Sequence, residues 1–565
     1  MESYIGIFLF IFVVLAFVFG YSFSARKKEI EREYKRIVNS FGSIPENEYL
    51  DEKYDSIQNY YRQIYSELEK TGDYCNVDDI TWHDLDFDSI YMLINNTQSS
   101  IGEEYLYSLL RTPVLKKEIL EERERLIDFF GKNSDKRIAL QRKLAVAGKM
   151  IKISVYEYIG RLNSLEDESN TGHYIKFALI ILSFLSIFIN PAFGIGCTVI
   201  MFFVNVISYF KRKGQIEKYY SVVAYILRTT DCALDISRLD IPEIRDYLNK
   251  LKENSERFSK TTRGGRMIVS KSNSGDIIET LLDYLRMASH IDLIRFNNML
   301  KGIRSHIDEF RNIYETIGLL DSMIAAASYR KLKGDYCIPE LIEDFDGLNT
   351  ENIFHPLISE PVKNNFDEKK SVLLTGSNAS GKSTFIKTVA INMILAQTIH
   401  TVCADRYKAP FYKCMTSMAL ADNLSEGESY YIVEIKSLKR ICDALNPDVR
   451  LLVFIDEVLR GTNTLERIAA SSQILKYISQ RNCMLFAATH DIELTQLLSD
   501  NFVMYHFEEK IRDGQVLFDY ILKTGPAKTR NAIKLLDMLG FENEITEKAS
   551  EQADLFCRDG EWSIV

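Results

Sequence analysis

Long apolar runs and segments with apolar residues at every third or fourth position divide the chain. Tyr4–Phe23 is a run of about twenty uncharged residues, the length that a helix needs to cross the hydrocarbon core of a membrane. A second apolar stretch, Tyr174–Phe210, is too long for one such helix and is interrupted by Asn190-Pro191, which favours two short helices joined by a tight turn. The pattern therefore predicts three transmembrane helices.

The charges beside these runs predict an orientation. Basic residues follow the first run at residues 26–28 and the second at residues 211–213, and Lys and Arg concentrate on cytoplasmic flanks. We therefore expect a multi-pass protein of the cell membrane with its N-terminus outside. A signal peptide is the alternative for the first run, although its basic residues follow rather than precede it. A buried hairpin of a soluble core is the alternative for the second.

The pattern of apolar and turn-forming residues in the remaining sequence changes near residue 331. Upstream, segments such as Ile119–Phe130, Ile244–Phe258 and Ile277–Ala327 have the spacing of amphipathic helices. Downstream, short β-type runs alternate with Pro and Gly. The predicted division is residues 1–23 as a transmembrane helix, 24–173 as a cytoplasmic helical region, 174–210 as a transmembrane hairpin, 211–330 as an all-α core or lever domain, and 331–565 as an α/β domain.

Composition excludes some classes of function. A formal net charge of −10 argues against a chain that coats nucleic acid nonspecifically, because phosphate binding depends on clustered Lys and Arg. The segment Ser259–Ser274 carries basic residues and no acid, which is typical of a solvated loop and also suits contact with phosphate. The nine cysteines form no C-x-x-C pair and no Cys/His group at zinc spacing, so free thiols are expected.

A phosphate-binding motif lies near the start of the last predicted domain. The buried-type strand Ser371–Thr375 runs into G-x-x-x-x-G-K-S at Gly376–Ser383 and then into a helix-forming segment, which is the context that a P-loop requires. Its backbone N–H groups cradle phosphates, while Lys382 reaches the outer phosphates and the Ser383 hydroxyl binds Mg²⁺. The predicted ATP-binding residues are Gly376, Ser377, Asn378, Ala379, Ser380, Gly381, Lys382, Ser383 and Thr384.

Two further strands end in polar residues suited to phosphoryl transfer. The strand that begins at Arg450 ends at Asp456 and Glu457. Asp456 is expected to bind the Mg²⁺ shell, and Glu457 is expected to orient or deprotonate the attacking water. A third strand, Met484–Thr489, ends at His490, which suits a contact with the γ-phosphate or with that water.

A polar turn between these strands points to a dimer. Leu424–Ser429 opens an amphipathic helix and resembles the signature loop of ABC-type ATPases. Such a loop serves the γ-phosphate bound by a partner subunit, so the resemblance implies a homodimer with two ATP molecules at the interface. The short interval between Lys382 and Ser425 leaves no room for the helical subdomain of transporter ATPases or for a long coiled coil. Arg460–Thr464 resembles the loop through which the two sites sense each other.

The motifs TGSNASGKST, SEGESYYIVEI, FIDEVLRGTNT and ATHDIELTQL, in that order, resemble the MutS family of DNA mismatch repair proteins. The resemblance is specific over about residues 330–545 and weaker over 84–114 and 277–330. It implies an α/β P-loop ATPase domain of ABC/MutS type and a homodimer associated with mismatched or structured double-stranded DNA. The roles it implies are catalysis by Lys382, Asp456, Glu457 and His490, a contact in trans by Ser429, and adenine stacking by Tyr520.

Departures from that family qualify the resemblance. The usual P-N-M-G-G-K loop is here Ser377–Lys382, in which the residues remain small. The chain has no room for the mismatch-reading domain with its Phe-x-Glu wedge, and membrane anchoring is expected in its place. The leading interpretation is a membrane-anchored MutS-like ATPase. The alternative is an ABC-type ATP-driven machine for membrane transport or remodelling without DNA binding. A nonenzymatic scaffold is disfavoured because the catalytic motif residues are present.

Overall fold

The structure, a computed structural model, describes residues 27–46, 51–150, 169–262, 287–377, 380–418, 430–445, 448–512, 515–527 and 540–559, with a few single residues between these ranges. The apolar run Tyr4–Phe23 and the loop Leu424–Ser429 lie outside the described residues. So does most of the basic segment Ser259–Ser274.

Helices make up most of the described chain. Residues 27–40 are helical. The named helices are α1 Asp51–Glu69, α2 Asp79–Asp84, α3 Phe87–Ile94, α4 Ser100–Arg111, α5 Lys117–Lys132, α6 Ser134–Ala147, α7 Thr171–Ser186, α8 Pro191–Ile236, α9 Arg245–Thr262, α10 Ile291–Ser305, α11 Ile307–Lys333, α12 Lys382–Thr398, α13 Tyr430–Asp443, α14 Thr464–Ser479, α15 Glu493–Leu497 and α16 Asn543–Asp559, with one 3₁₀ turn at Pro242–Ile244.

The strands lie in the last two fifths of the chain. They are β1 Glu340–Leu341, β2 Leu348–Ile353, β3 Asn364–Glu368, β4 Ser371–Thr375, β5 Arg406–Ala409, β6 Lys413–Ser417, β7 Leu451–Asp456, β8 Cys483–Thr489, β9 Phe502–His506, β10 Glu509–Arg512, β11 Gln515–Phe518 and β12 Lys523–Thr524.

The chain forms two compact units. The first comprises residues 1–64, 94–108 and 125–332, and the second comprises 65–93, 109–124 and 333–565. The second unit thus includes two segments that the sequence analysis placed in the helical region. The sequence predicts continuous domains, whereas these compact units are discontinuous along the chain. The predicted division remains a prediction.

A helical hairpin projects apolar side chains to the surface of the first unit. Helix α8 begins at Pro191, where the Asn190 side chain accepts a hydrogen bond from the Phe193 N–H at 3.3 Å. Gly194 permits the close turn, since a Cβ there would lie 2.4 Å from the backbone nitrogen of Ile187. The two helices joined by a tight turn that Asn190-Pro191 predicted are therefore present in the fold.

The described residues do not support three transmembrane helices. Pro191–Gly214 is the one described stretch long and apolar enough to cross a membrane, and α7 is shorter, at 16 residues. Spanning a bilayer takes about 20 residues, so α7 alone falls short of that length. Helix α8 also continues beyond the predicted hairpin end at Phe210, running unbroken for 46 residues.

The second half of α8 belongs to the core of the first unit. Val222, Val223, Tyr225 and Ile226 on this half are fully buried. Helix α8 packs there against α6 and α9, and the Lys143 ammonium lies 3.1 Å from a carboxylate oxygen of Asp235. One helix therefore carries both the exposed apolar stretch and part of a packed core.

A buried carboxylate joins α11 to the start of α4 in the same unit. Asp321 accepts hydrogen bonds from the backbone N–H of Ser99 at 3.0 Å and from its hydroxyl at 2.7 Å, and the Gln98 N–H also donates at 3.0 Å. A Cβ at Gly102 would lie 2.2 Å from Asp321 Oδ2, which explains the glycine. Burial raises the pKa of Asp321 to about 6, against these hydrogen bonds.

The second unit is built on a six-stranded sheet with the order β12-β9-β4-β8-β7-β6. Every neighbouring pair is parallel except β12 and β9. Strands β4 and β7 are buried along their whole length, as expected for apolar strands covered on both faces by helices. A four-stranded sheet, β1-β5-β2-β3, and the hairpin β10-β11 complete the strands. This arrangement confirms an α/β domain after the helical part of the chain.

Candidate active site

The loop after β4 curls at the carboxyl edge of the parallel sheet. Gly376 and Gly381 have φ angles of +146° and +108°, which favour glycine. A Cβ at Gly376 would lie 2.6 Å from the carbonyl oxygen of Phe507, and one at Gly381 would lie 3.1 Å from the ring of Tyr520. Gly376 is therefore favoured by both close packing and its backbone angle, and Gly381 chiefly by its backbone angle. Asn378 and Ala379 of the predicted loop lie outside the described residues.

Lys382 is folded back into this loop at the first turn of α12. It is 4% exposed, and its ammonium donates to the carbonyl oxygens of Gly376 at 2.6 Å and Ser377 at 2.9 Å. Burial lowers the pKa of Lys382, whereas Glu457 and Asp456 oppose that shift. The ammonium is thus held beside the loop that the sequence assigned to phosphates.

The two carboxylates predicted after β7 lie close to the same loop. Asp456 ends β7 and is 8% exposed. The Glu457 carboxylate lies between two side chains: Arg460 Nε is 2.7 Å from Oε2, and His490 Nδ1 is 3.4 Å from Oε1. Glu457 has a φ of +60°, which is strained for a residue with a side chain. The structure therefore brings together His490 and Glu457, which end neighbouring strands.

One cavity of about 850 Å³ collects most of the predicted residues. Its lining includes Ser377, Ser380, Gly381, Lys382, Ser383, Thr384, Asp456, Glu457 and Tyr520. The Ser383 hydroxyl and the Asp456 carboxylate supply oxygen atoms, the ligand type that Mg²⁺ prefers. The residues present therefore fit a Mg²⁺-nucleotide, with the buried ammonium of Lys382 beside the glycine loop.

Tyr520 lines the cavity at its rim. Its φ is +52°, its side chain is partly exposed, and its ring stacks on Phe518 with centroids 5.9 Å apart. Asn364 holds this segment, since its side chain donates to the Tyr520 carbonyl at 3.1 Å and accepts from the Leu522 N–H at 2.7 Å. Adenine stacking by Tyr520 remains a prediction that this position allows.

Several lining residues were not assigned by the sequence analysis. His83 and Asp84 come from the segment 65–93, and Asp84 accepts hydrogen bonds from the Thr416 hydroxyl at 2.6 Å and the Met418 N–H at 2.9 Å. Burial raises the pKa of the Asp84 carboxyl. His355 also lines the cavity, and burial lowers its pKa to about 4.

The contact in trans predicted for Ser429 falls outside the described residues, whereas the helix that follows it is described. Helix α13 begins at Tyr430 and packs beside the loop after β7. Among the described residues, no group of three or more His, Cys, Asp or Glu side chains is arranged to hold a metal ion.

Comparisons with known proteins agree with the motifs. Residues 372–556 match the family model for MutS domain V. The chain is 30% identical over 353 residues to a DNA mismatch repair protein MutS of Leptospira interrogans and 28% identical over 342 residues to one of Natronomonas pharaonis. Each of these alignments covers 59% of this chain, and 39% and 38% of the respective relatives. The predicted resemblance to the MutS family is confirmed. The aligned part of the chain spans well under half the length of these relatives.

Proposed function

We propose that this chain, a MutS-family protein by its C-terminal domain, binds and hydrolyses ATP with Mg²⁺ as a homodimer. The observation that supports this most strongly is the convergence of Lys382, Asp456 and Glu457 on one cavity at the carboxyl edge of a parallel sheet. Ligands of open α/β sheets bind at that edge. The dimer is proposed because Leu424–Ser429 resembles a loop that completes the site of a partner subunit.

The roles proposed for the site residues follow from this geometry. Lys382 binds the outer phosphates and Ser383 and Asp456 hold Mg²⁺, which supplies charge neutralisation on the transferring phosphoryl group. Glu457 takes a proton from the attacking water, and His490 positions that water or contacts the γ-phosphate. Ser429 of a second copy contacts the γ-phosphate, and Tyr520 stacks on adenine.

We further propose that the ATP-driven motion acts on mismatched or structured double-stranded DNA near the membrane. This is supported by the relatives, which are DNA mismatch repair proteins, over the aligned part of the chain. The test is binding of the full chain, in detergent or nanodiscs, to homoduplex, mismatched and branched DNA at several salt concentrations. Binding that strengthens steeply as salt falls and prefers one DNA form is expected, because phosphate contacts release counterions.

The second candidate function, an ATP-driven machine for membrane transport or remodelling, is favoured by the hairpin of α7 and α8. Phe188 and Ile189 at its turn are 79% and 89% exposed, and large apolar side chains along both helices are exposed as well. Absence of DNA binding at low salt, in a chain that hydrolyses ATP, would favour this function over the first.

In either case we propose that the hairpin inserts into the cell membrane from the cytoplasmic side, with residues 4–23 as a further anchor. Exposed apolar residues cost free energy in water, about 25 cal/mol per Å² of surface. Lys211, Arg212 and Lys213 follow the apolar half of α8 and suit the cytoplasmic interface. The ATPase domain then lies in the cytoplasm.

A tryptophan placed at the turn is expected to report this insertion. In nanodiscs, Phe188→Trp should be quenched by lipids brominated on their acyl chains, and its emission should shift to the blue. Ile44→Trp is the matched control, because Ile44 is 70% exposed and lies outside the hairpin. Equal quenching of both variants would contradict insertion of the hairpin.

A further inference from the structure

Glu434 is a buried acid on α13 that the proposed mechanism does not use. It is 5% exposed, and its Oε1 accepts the backbone N–H groups of Leu459 at 2.5 Å and Arg460 at 3.4 Å. Its Oε2 is buried without a hydrogen-bond partner among the described residues. Burial raises the pKa of Glu434, which shows that its environment penalises the charged form. A carboxyl group at this buried position therefore costs free energy. Its hydrogen bonds to Leu459 and Arg460 indicate that its role concerns the loop after β7.

The loop that Glu434 contacts is strained. Glu457 and Leu459 have φ angles of +60° and +58°, a region that residues with side chains rarely adopt. The Leu459 side chain is buried, so the loop cannot relax outward. Helix α13 also packs closely on the loop, since a Cβ at Gly461 would lie 3.2 Å from Tyr431 Cβ. The strained loop conformation therefore depends on the contacts around it. Glu434 contributes a carboxylate oxygen that accepts from the N–H groups of Leu459 and Arg460.

The same loop carries the residue that contacts the catalytic carboxylate. Arg460, whose N–H is held by Glu434, places Nε 2.7 Å from Glu457 Oε2 and donates to the Asp456 carbonyl at 3.3 Å. Glu434 itself is not part of the cavity lining. Its influence on Glu457 therefore passes through the backbone of Leu459 and Arg460.

We propose that Glu434 is a positioning residue, which fixes Glu457 relative to α13. This inference rests on the proposed ATPase function and deepens it. Helix α13 begins directly after Leu424–Ser429, the segment proposed to contact the nucleotide of a partner subunit. A displacement of α13 is carried by Glu434 to the loop, and so to the carboxylate that activates water.

The decisive variants differ in whether they retain an acceptor oxygen. Glu434→Met keeps a side chain of similar length and removes the acceptor, whereas Glu434→Gln keeps an oxygen for the Leu459 N–H. Asp443→Asn is the matched control, because Asp443 is an exposed acid on the same helix whose side chain is 61% accessible. The full chain is used, with folding checked by circular dichroism and by binding of a fluorescent ATP analogue.

In steady-state ATP hydrolysis, Glu434→Met is expected to lower kcat by about 100-fold, the cost of a misplacement of about 1 Å in a catalytic group. The KM for ATP and the affinity for the analogue should stay near those of the unmodified chain. Glu434→Gln should restore most of kcat, and Asp443→Asn should not change it. This split between kcat and KM, with rescue by glutamine, separates positioning from a general loss of stability.

Other outcomes have distinct meanings. An unchanged kcat in Glu434→Met, a change in KM alone, or an equal loss of kcat in Glu434→Met and Glu434→Gln would overturn the positioning role while leaving ATP hydrolysis by the chain established. If the unmodified chain hydrolyses no ATP, the proposed function fails, and the positioning role fails with it.

Discussion

Replacement of Glu457 by glutamine is expected to lower kcat for ATP hydrolysis by about 100-fold to 10,000-fold, the usual contribution of a general base. Glutamine has the same shape as glutamate but cannot take a proton from water. The position beside Arg460 and His490 is otherwise preserved. ATP affinity should change little, because the carboxylate acts on the attacking water rather than on the nucleotide.

The measurement is steady-state hydrolysis together with equilibrium binding of ATP. Glu466→Gln is the control, since Glu466 is an exposed acid on the first turn of α14. Slow hydrolysis should also let the ATP-bound dimer accumulate, which analytical ultracentrifugation would detect. Hydrolysis at the unmodified rate in Glu457→Gln would mean that another group activates water, and the proposed role of Glu457 would be withdrawn.

Replacement of Lys382 by methionine should weaken ATP binding by about tenfold to 100-fold, since a hydrogen bond to a charged group contributes about 1.5–3 kcal/mol. Hydrolysis should fall as well, because the ammonium also neutralises charge on the transferring group. In the structure this ammonium donates to the carbonyl oxygens of Gly376 and Ser377. Binding of ATP is expected to redirect it towards phosphate oxygens.

Isothermal titration with ATP and Mg²⁺ measures this effect. Lys476→Met, an exposed lysine on α14, is the control for loss of one positive charge. The two variants should therefore differ: Glu457→Gln should keep its affinity for ATP, whereas Lys382→Met should bind ATP more weakly. If Lys382→Met binds ATP as tightly as the unmodified chain, then the cavity does not hold the phosphates in the proposed orientation.

The sequence predicted the parts of the site that are local in the chain. A strand, a glycine loop and a helix follow one another within residues 371–398, so the P-loop was visible from residue order alone. The strands that end at Asp456 and Thr489 were also predicted closely, because runs of apolar residues in a parallel sheet are bounded by polar ones. The chemical roles of these residues remain predictions until the variants are measured.

Features that depend on contacts between distant segments were not predicted. Asp84 hydrogen-bonds to Thr416, more than three hundred residues later, and no periodicity connects the two positions. Glu434 is likewise one of several acids in its part of the sequence, and nothing in the residue order indicates its hydrogen bond with the Leu459 N–H. In both cases the signal is a buried polar group with long-range partners, and sequence spacing does not encode it.

The predicted end of the hairpin at Phe210 does not coincide with the end of a helix. Side chains change from apolar to basic at Lys211, Arg212 and Lys213, which is why the sequence predicts a boundary there. The backbone continues as a helix to Ile236, because lysine and arginine are good helix formers and break no backbone hydrogen bond. The charges therefore mark a change of environment along one helix.

The continuity of α8 has a mechanical consequence. At a rise of about 1.5 Å per residue, its 46 residues form a rod about 69 Å long. Without a flexible joint, the apolar half must tilt and rotate together with the half that is packed among α6 and α9. A tilt of about 10° about its Ile236 end displaces the far tip by about 12 Å on this geometry. Small rearrangements in the packed half would therefore become large displacements of the exposed apolar tip.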